Sequence, residues 1–280
     1  MPSFVHYRLS IGAFYNPHLA DVLLASNTVD HLAMADPPAP TDTLFPAIRE
    51  RFPLLLHDYL GQLSDPLSDH ALARACHLQE LYQGPWVAEH FQCLHTQDGS
   101  RTLDYVFPPL YTEEFLSRFV ANALRLRDAV QAPLVMENIP GFFSLDYAQM
   151  SEAEFLTRFF NQTGCGLLLD LPHIWLAAHY SGSSAQEYLA GFPLDRVVEL
   201  HVAGVEEDQD LEGPWIAPTP PTREILDLAL WVAERSPKLR AVTFDAFSPN
   251  LTAEVLLQSV ESTRQAFGIS SSLSSKPAAA

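Results

Sequence analysis

The sequence predicts a single-domain α/β fold, a (β/α)₈ TIM barrel, and three observations carry that expectation. Eight short apolar runs recur along the chain: Arg8–Gly12, Val29–Met34, Pro53–His57, Trp86–His90, Pro133–Glu137, Gly166–Asp170, Val197–His201 and Leu239–Asp245. Several are continuous rather than alternating, as in Leu54-Leu55-Leu56 and Leu167-Leu168-Leu169, which suits parallel strands buried on both faces. Longer amphipathic segments separate them, and 280 residues fit one barrel of about 250 better than two small domains. A doubly wound open sheet is the structural alternative. No glycine-rich fingerprint follows the first run, which weakens a nucleotide-binding reading.

The helical segments have recognisable starts. Glu113–Val130 carries Phe115, Leu116, Phe119, Val120, Ala123, Leu124 and Leu126 at close to a 3.6-residue period, with Thr112 as N-cap. Ser151-Glu152-Ala153-Glu154 reads as a capping box ahead of Phe155, Leu156, Phe159 and Phe160. Thr222 caps Arg223–Arg235 after the Pro218–Pro221 loop. The barrel is expected over residues 1–267. The serine- and alanine-rich segment 268–280 is expected to be a disordered, dispensable tail.

Composition narrows the function classes. Hydrophobic residues make up 48% and charged residues 18%, enough for a large core and against global disorder. The net charge is −18, from 34 acidic and 16 basic residues. A surface that negative repels phosphate backbones, so nucleic acid is not an expected partner. No apolar run approaches the roughly 20 residues that span a bilayer, and Met1–His6 lacks a basic region followed by an apolar stretch, so neither membrane nor signal peptide is expected. Three cysteines, Cys76, Cys93 and Cys165, argue against a disulfide framework and for a reducing, cytoplasmic setting. They read as small buried hydrophobes.

The chemistry is concentrated where strands end. The third run ends in His57, the fourth in Glu89-His90, the fifth in Glu137-Asn138, the sixth in Asp170, the seventh in His201 and the eighth in Asp245. One histidine at a strand end is usually a hydrogen-bonded structural residue, and one Asp after an apolar run is usually a helix N-cap. Six consecutive strands ending in His, Glu or Asp are harder to attribute to packing, because each is costly to bury unless paired or metal-bound. In a barrel these ends converge on the rim where barrel enzymes do their chemistry. Asp170-Leu171-Pro172-His173 adds His173 from the same turn, and Asp210 and Glu212 offer two more carboxylates after the seventh run, evenly balanced between ligands and a solvated acidic loop beside Glu206, Glu207 and Asp208. The candidate metal set is His57, His90, Glu137, Asp170, His173, His201, Asp210 and Glu212. Asp245, Asn138 and Glu89 are candidate catalytic residues, Asn138 and Glu89 by hydrogen-bonding the ligands. Imidazole and carboxylate without thiolate suit Fe(II), Mn(II), Co(II) or Zn(II). Phe142, Phe143, Trp175 and Trp215 follow these motifs and could line a substrate groove, with Trp215 the better contact candidate.

At these residues the chain resembles the multinuclear non-heme iron-dependent oxidative enzymes, xylose-isomerase-like TIM barrels that include the oxidase of methanobactin biosynthesis. The resemblance covers most of residues 8–250 and rests on six motifs in order: Ser10-Ile11-Gly12, Leu54-Leu55-Leu56-His57, Ala88-Glu89-His90-Phe91, Met136-Glu137-Asn138-Ile139-Pro140, Leu167–His173 and Glu199-Leu200-His201-Val202-Ala203-Gly204. It implies one or two iron ions (Fe2+/Fe3+, with Mn2+ or Zn2+ as alternatives) and O2. It also implies a peptide substrate, modified often at cysteine and delivered in some cases by a small partner protein, in natural product biosynthesis. Three departures mark a divergent member. Val205 stands where the family has His, Glu212 where it has His, and Thr243 where it has Glu. Fewer nitrogen donors imply fewer or weaker sites: the retained set suffices for one ion or two, and a third is not expected. Two other classes stay open. One is a non-redox divalent-metal barrel isomerase, hydro-lyase or hydrolase, separable by oxygen consumption. The other is a degenerate barrel acting as a partner-binding scaffold, separable by tight metal binding.

Overall fold

The computed structural model describes residues 8–35, 37–39, 41–57, 62–95, 102–142, 147–208, 213–246 and 248–270. In chain order the strands are β1 (Ser10–Phe14), β2 (Leu32–Met34), β3 (Leu54–His57), β4 (Val87–His90), β5 (Cys93–His95), β6 (Thr102–Phe107), β7 (Leu134–Glu137), β8 (Gly166–Asp170), β9 (Val197–Val202), β10 (Gly204–Asp208), β11 (Gly213–Ala217) and β12 (Ala241–Phe244). The helices are α1 (Ala20–Ala25), α2 (Phe45–Arg51), α3 (Asp69–Tyr82), α4 (Glu113–Val130), α5 (Glu152–Thr163), α6 (Leu171–Ser181), α7 (Ala185–Tyr188), α8 (Arg223–Ala233) and α9 (Ala253–Ala266).

Eight strands close into a parallel barrel in the order β1-β12-β9-β8-β7-β4-β3-β2. Each of the eight apolar runs contributes one of these strands, as the sequence predicts. Two antiparallel hairpins, β5-β6 and β10-β11, rise from the ends of β4 and β9 and have no counterpart in that reading. Both begin in polar, motif-bearing stretches whose alternation is too short to distinguish from loop.

Alternate residues of a barrel strand face inward. Leu54 and Leu56 therefore pack outward into the large core shared with the helices, whereas Leu55 joins Phe14, Ala33 and Ala241 in a separate interior cluster. Ala88, Val135 and Leu168 form a second interior cluster. Two residues further along their strands come His90, Glu137 and Asp170, and two beyond Leu55 comes His57. On these strands the interior is thus apolar below a polar mouth, while Glu199 and Thr243 bring buried polar groups from β9 and β12.

Helix starts follow side-chain chemistry. Thr112 Oγ1 accepts from Phe115 N at 3.3 Å, and α4 spans the predicted residues. Ser151 caps α5 through Glu154 N at 3.2 Å, but Glu154 turns to Arg158 at 3.6 Å. The reciprocal box forms instead at Ser184 and Glu187, opening α7. Thr222 caps α8, which stops at Ala233, two residues before the predicted end. Of the expected tail, 271–280 lies outside the described residues, while Ser270 O accepts from Arg8 and from Arg264 at 2.8 Å. Among the described residues no helix is long and apolar enough to cross a membrane, and all three cysteines are free.

Arg264 on α9 is fully buried and closes the barrel seam. Its Nη1 reaches Asp30 Oδ2 at 2.6 Å and Thr28 O at 2.9 Å, and the same Asp30 oxygen accepts from Ile11 N of β1 at 3.0 Å. Removing one partner of a buried pair leaves the other unpaired. Asp30 keeps 23% of its side-chain surface exposed, so Arg264→Met is expected to cost about 2 kcal/mol of stability, read as a fall in the urea midpoint.

Candidate metal centre

Strand register assembles the site. The β4–β7 pairing sets His90 beside Glu137, and the β8–β9 pairing sets Asp170 beside His201. Glu137, 1% exposed, lies between the two pairs. Its Oε2 is 2.9 Å from His90 Nε2 and 3.1 Å from His57 Nε2, and the two imidazole nitrogens are 3.1 Å apart. Its Oε1 lies 3.5 Å from His201 Nδ1, which in turn is 3.3 Å from Asp245 Oδ2 and 3.8 Å from Asp170 Oδ2. One carboxylate therefore serves two donor groups: His57, His90 and Glu137, and then Glu137, Asp170, His201 and Asp245.

The supporting contacts orient these donors. Asp170 divides its oxygens: Oδ1 caps α6 by accepting from His173 N at 2.6 Å, and Oδ2 faces His201. The N-cap reading and the ligand reading of this residue are thus compatible. Asn138 fixes Asp170's backbone, accepting from Asp170 N at 2.9 Å and donating to Asp170 O at 3.2 Å. Glu89 accepts from His90 N at 2.8 Å. His173 Nδ1 lies 2.9 Å from Asn138 O, so this nitrogen donates to backbone and the ring's lone pair belongs to Nε2. Asp245 and His173 are the more exposed members, at 24% and 15% of their side-chain surface. Phe14 closes the β1 side, edge-on to His57 at 5.3 Å and to His201 at 5.7 Å. Asp210 and Glu212 lie outside the described residues. Val205, on β10, packs partly buried against the core.

Can these residues hold a metal ion? Donors bound to one ion at about 2.1 Å sit roughly 3.0–3.4 Å from one another, and the His57, His90 and Glu137 contacts have that spacing. The second group is slightly wider. His57 Nδ1, Glu137 Oε2 and His201 Nδ1 have no hydrogen-bond partner of good geometry among the described residues, and His201 Nε2 has only the 3.5 Å approach of Glu199 Oε1. Charge points the same way. Burial opposes the ionised form of Glu137, yet His90, His57 and His201 hold it well below the ordinary carboxylate range. Burial also opposes protonated His90, but Glu137 and Glu89 push it up to about 10, and His201 is likewise raised well above its ordinary value by Glu137 and Asp245. Asp170 is raised to about 7 by burial, with Glu137 and Asp245 adding to the effect. The cluster takes up protons where it lacks a cation. The donors fit a divalent ion of the first transition row.

Sequence reading missed the layer beneath. Glu199, Thr243, Trp86 and His31 meet inside the barrel below His201. Glu199 stands two residues before His201, and that same-face spacing was the available signal. Of the aromatic candidates, Phe142 and Trp215 stack with centroids 5.2 Å apart. Phe142 also lines a cleft of about 440 Å³ with Tyr111, Met150, Tyr180 and Tyr188. Trp175 instead stacks on His179, away from that cleft. Phe143 lies outside the described residues.

Residues 18–217 match the model of RiPP precursor modification enzymes MbnB/TglH/ChrH. The chain belongs to this family. Curated relatives of the MbnB/TglH/ChrH chain described here include UPF0276 proteins. That of Paraburkholderia phytofirmans is 31% identical over 212 residues, 75% of this chain and 67% of the relative. That of Rhizobium meliloti is 35% identical over 168 residues, 59% of this chain and 54% of the relative. The matched region thus spans little more than half of the second relative. Solved structures share the fold alone. A xylose isomerase-like TIM barrel protein from Mycobacterium smegmatis in complex with magnesium is 15% identical with TM-score 0.57, covering 95% of this chain and 98% of that one. Endonuclease IV from Thermus thermophilus is 16% identical with TM-score 0.59, covering 92% and 99%.

If Glu137 is shared, substitutions should separate the two groups. After equilibration with Co(II) and desalting, His201→Ala is expected to lose one ion and keep the other, whereas Glu137→Gln weakens both by at least about tenfold. Metal analysis reads both, and a Glu137→Gln protein that retains full metal content would exclude a shared carboxylate.

Proposed function

We propose that this chain is a non-heme iron-dependent oxidative enzyme that uses O2 to modify a peptide substrate at cysteine, in modified-peptide natural product biosynthesis. The observation that carries the proposal is the convergence of donors on Glu137 at the barrel mouth: His57, Glu137 and His201 on one side, Glu137, Asp170, His201 and Asp245 on the other, with His90 Nε2 2.9 Å from Glu137 Oε2. His57, His90 and Glu137 would hold one iron ion, and Glu137, Asp170, His201 and Asp245 a second, with His173 able to contribute Nε2. When bound, iron supplies the redox chemistry and oxygen activation that no side chain of this set can provide. The protein's own part is positional and electrostatic. Asn138 and Glu89 hold Asp170 and His90 in place. Asp245 is partly open to solvent, and with Oδ2 turned to the donor group its other carboxylate oxygen is the one available to accept a proton from an arriving thiol.

The peptide has a plausible seat. Tyr180 and His173 are both on α6, seven residues or about 10 Å apart along the helix axis. The cleft at Phe142 and Tyr180 is then about three residues of extended chain from the metal centre. Glu206 and Glu207 are exposed on the overhanging hairpin, and with the −18 net charge they favour a basic peptide or a small partner protein that brings it. The cysteine usage and composition favour a cytoplasmic site of action.

Anaerobically purified protein is expected to contain iron, and His57→Ala and Asp170→Ala to lose it. Oxygen uptake should require a cysteine-containing peptide. Wild-type protein that carries no iron and consumes no oxygen with such peptides would end the proposal in favour of a non-redox barrel. Phe142→Ala should raise KM for the peptide about tenfold, the equivalent of one aromatic contact, with kcat little changed. Steady-state oxygen consumption separates the two constants.

A further inference from the structure

Below the metal centre a chain of hydrogen bonds runs down the barrel interior, and its direction is fixed by chemistry. Glu199 is 1% exposed. Trp86 Nε1, which can only donate, reaches Glu199 Oε2 at 2.8 Å, and Thr243 Oγ1 donates to Glu199 Oε1 at 2.5 Å. With its proton committed, the Thr243 oxygen accepts from His31 Nε2 at 2.9 Å. His31 Nδ1 must then accept from Ser10 Oγ at 2.8 Å. The ring of His31 occupies the space a side chain would take on β1: a Cβ on Gly12 would come within 2.5 Å of His31 Nε2 and 2.3 Å of its carbonyl oxygen. At the upper end, Glu199 Oε1 faces His201 Nε2 at 3.5 Å.

We propose that Glu199, locked by Thr243 and Trp86, is a positioning residue that holds the proton of His201 on Nε2 and so makes Nδ1 the ligating atom. A carboxylate that accepts from below can only accept from above, so the ring nitrogen facing it must carry hydrogen. The opposite nitrogen is the one directed at Asp245, Glu137 and Asp170. Carboxylate-to-histidine contacts of this kind fix ring orientation in metal sites generally. Here the carboxylate is itself held by Thr243 of β12, by Trp86 just before β4 and, through His31 just before β2, by Ser10 of β1. Thr243 thereby has a function at the position where the family pattern has Glu: it is a hydroxyl that gives its proton to Glu199 and takes one from His31.

The inference rests on the reading of the His201 group as a metal site, and its test needs neither peptide nor O2. Full-length protein carrying ¹⁵N-histidine is loaded with Zn(II), and the His201 ring is assigned by its loss in His201→Gln. Long-range proton–nitrogen spectra should show protonated Nε2 and zinc-bound Nδ1. The reverse pattern, or no zinc on His201, overturns the inference. In parallel, Thr243→Val is expected to lower Co(II) affinity about tenfold and shift the visible ligand-field bands, with Thr243→Ser restoring both and Glu199→Gln weakening binding further. Folded Thr243→Val and Glu199→Gln proteins with wild-type affinity and bands also overturn it. Should Thr243→Val fail to fold, the wild-type nitrogen spectrum decides alone. Zinc on Nδ1 without oxygen uptake defeats the proposed activity and leaves this inference standing; oxygen uptake with zinc on Nε2 does the opposite.

Discussion

The Glu137 carboxylate keeps two sets of donors in contact, one oxygen toward His57 and His90 and the other toward His201, and the barrel mouth is arranged around the cost of burying it. An isolated carboxylate in an apolar interior would take up a proton rather than remain charged. Here three imidazoles stand close enough to keep it ionised. They can do so only by holding protons of their own, or by sharing a cation with it. On β3, β4, β7 and β8 the layer below is the apolar Leu55, Ala88, Val135 and Leu168, whereas β9 and β12 place Glu199 and Thr243 beneath His201, hydrogen-bonded to each other. A dry floor strengthens every electrostatic interaction above it.

The fold was legible because a parallel strand buried on both faces leaves a continuous apolar signature, and each of the eight runs keeps it. Most of the site was legible for a related reason. His57, His90, Glu137, Asp170, His201 and Asp245 interrupt apolar runs at the end that faces the rim, where burial would otherwise penalise them. Glu199 and His31 were less visible because they lie within runs, where period-2 reading assigns them to a face without saying what meets them there. Contacts between β12 and β2, more than two hundred residues apart in sequence, join His31 to Thr243. Such contacts follow from barrel closure and register, which local patterns do not specify. The two hairpins were missed because their strands follow barrel strands almost without a break and read as continuations or loop.

The departures from the family pattern acquire physical meaning in this frame. Val205 packs against the core on β10 and offers no donor. Thr243 is a donor to Glu199 at 2.5 Å, so the position is polar but directed downward into the barrel rather than upward into the centre. A carboxylate there would stand beside Glu199, adding a second buried negative charge where Trp86 and Thr243 already donate to one. A hydroxyl avoids that repulsion and still passes a hydrogen bond across the barrel.

Asymmetry around the mouth follows from the same layering. Among the described residues β1 and β2 add no acid or imidazole to the donor set; Phe14, packed with Leu55, stands near-perpendicular to the rings of His57 and His201. A phenyl ring packed near-perpendicular to the imidazoles fills that side without offering a competing lone pair. The donors occupy the arc from β3 to β12, and their most exposed members stand apart: His173 is on α6, whereas Asp245 follows β12, next to β1. Phe14 thus covers His57 and His201 on one side, while His173 on α6 is the donor that shares its helix with Tyr180 of the aromatic cleft.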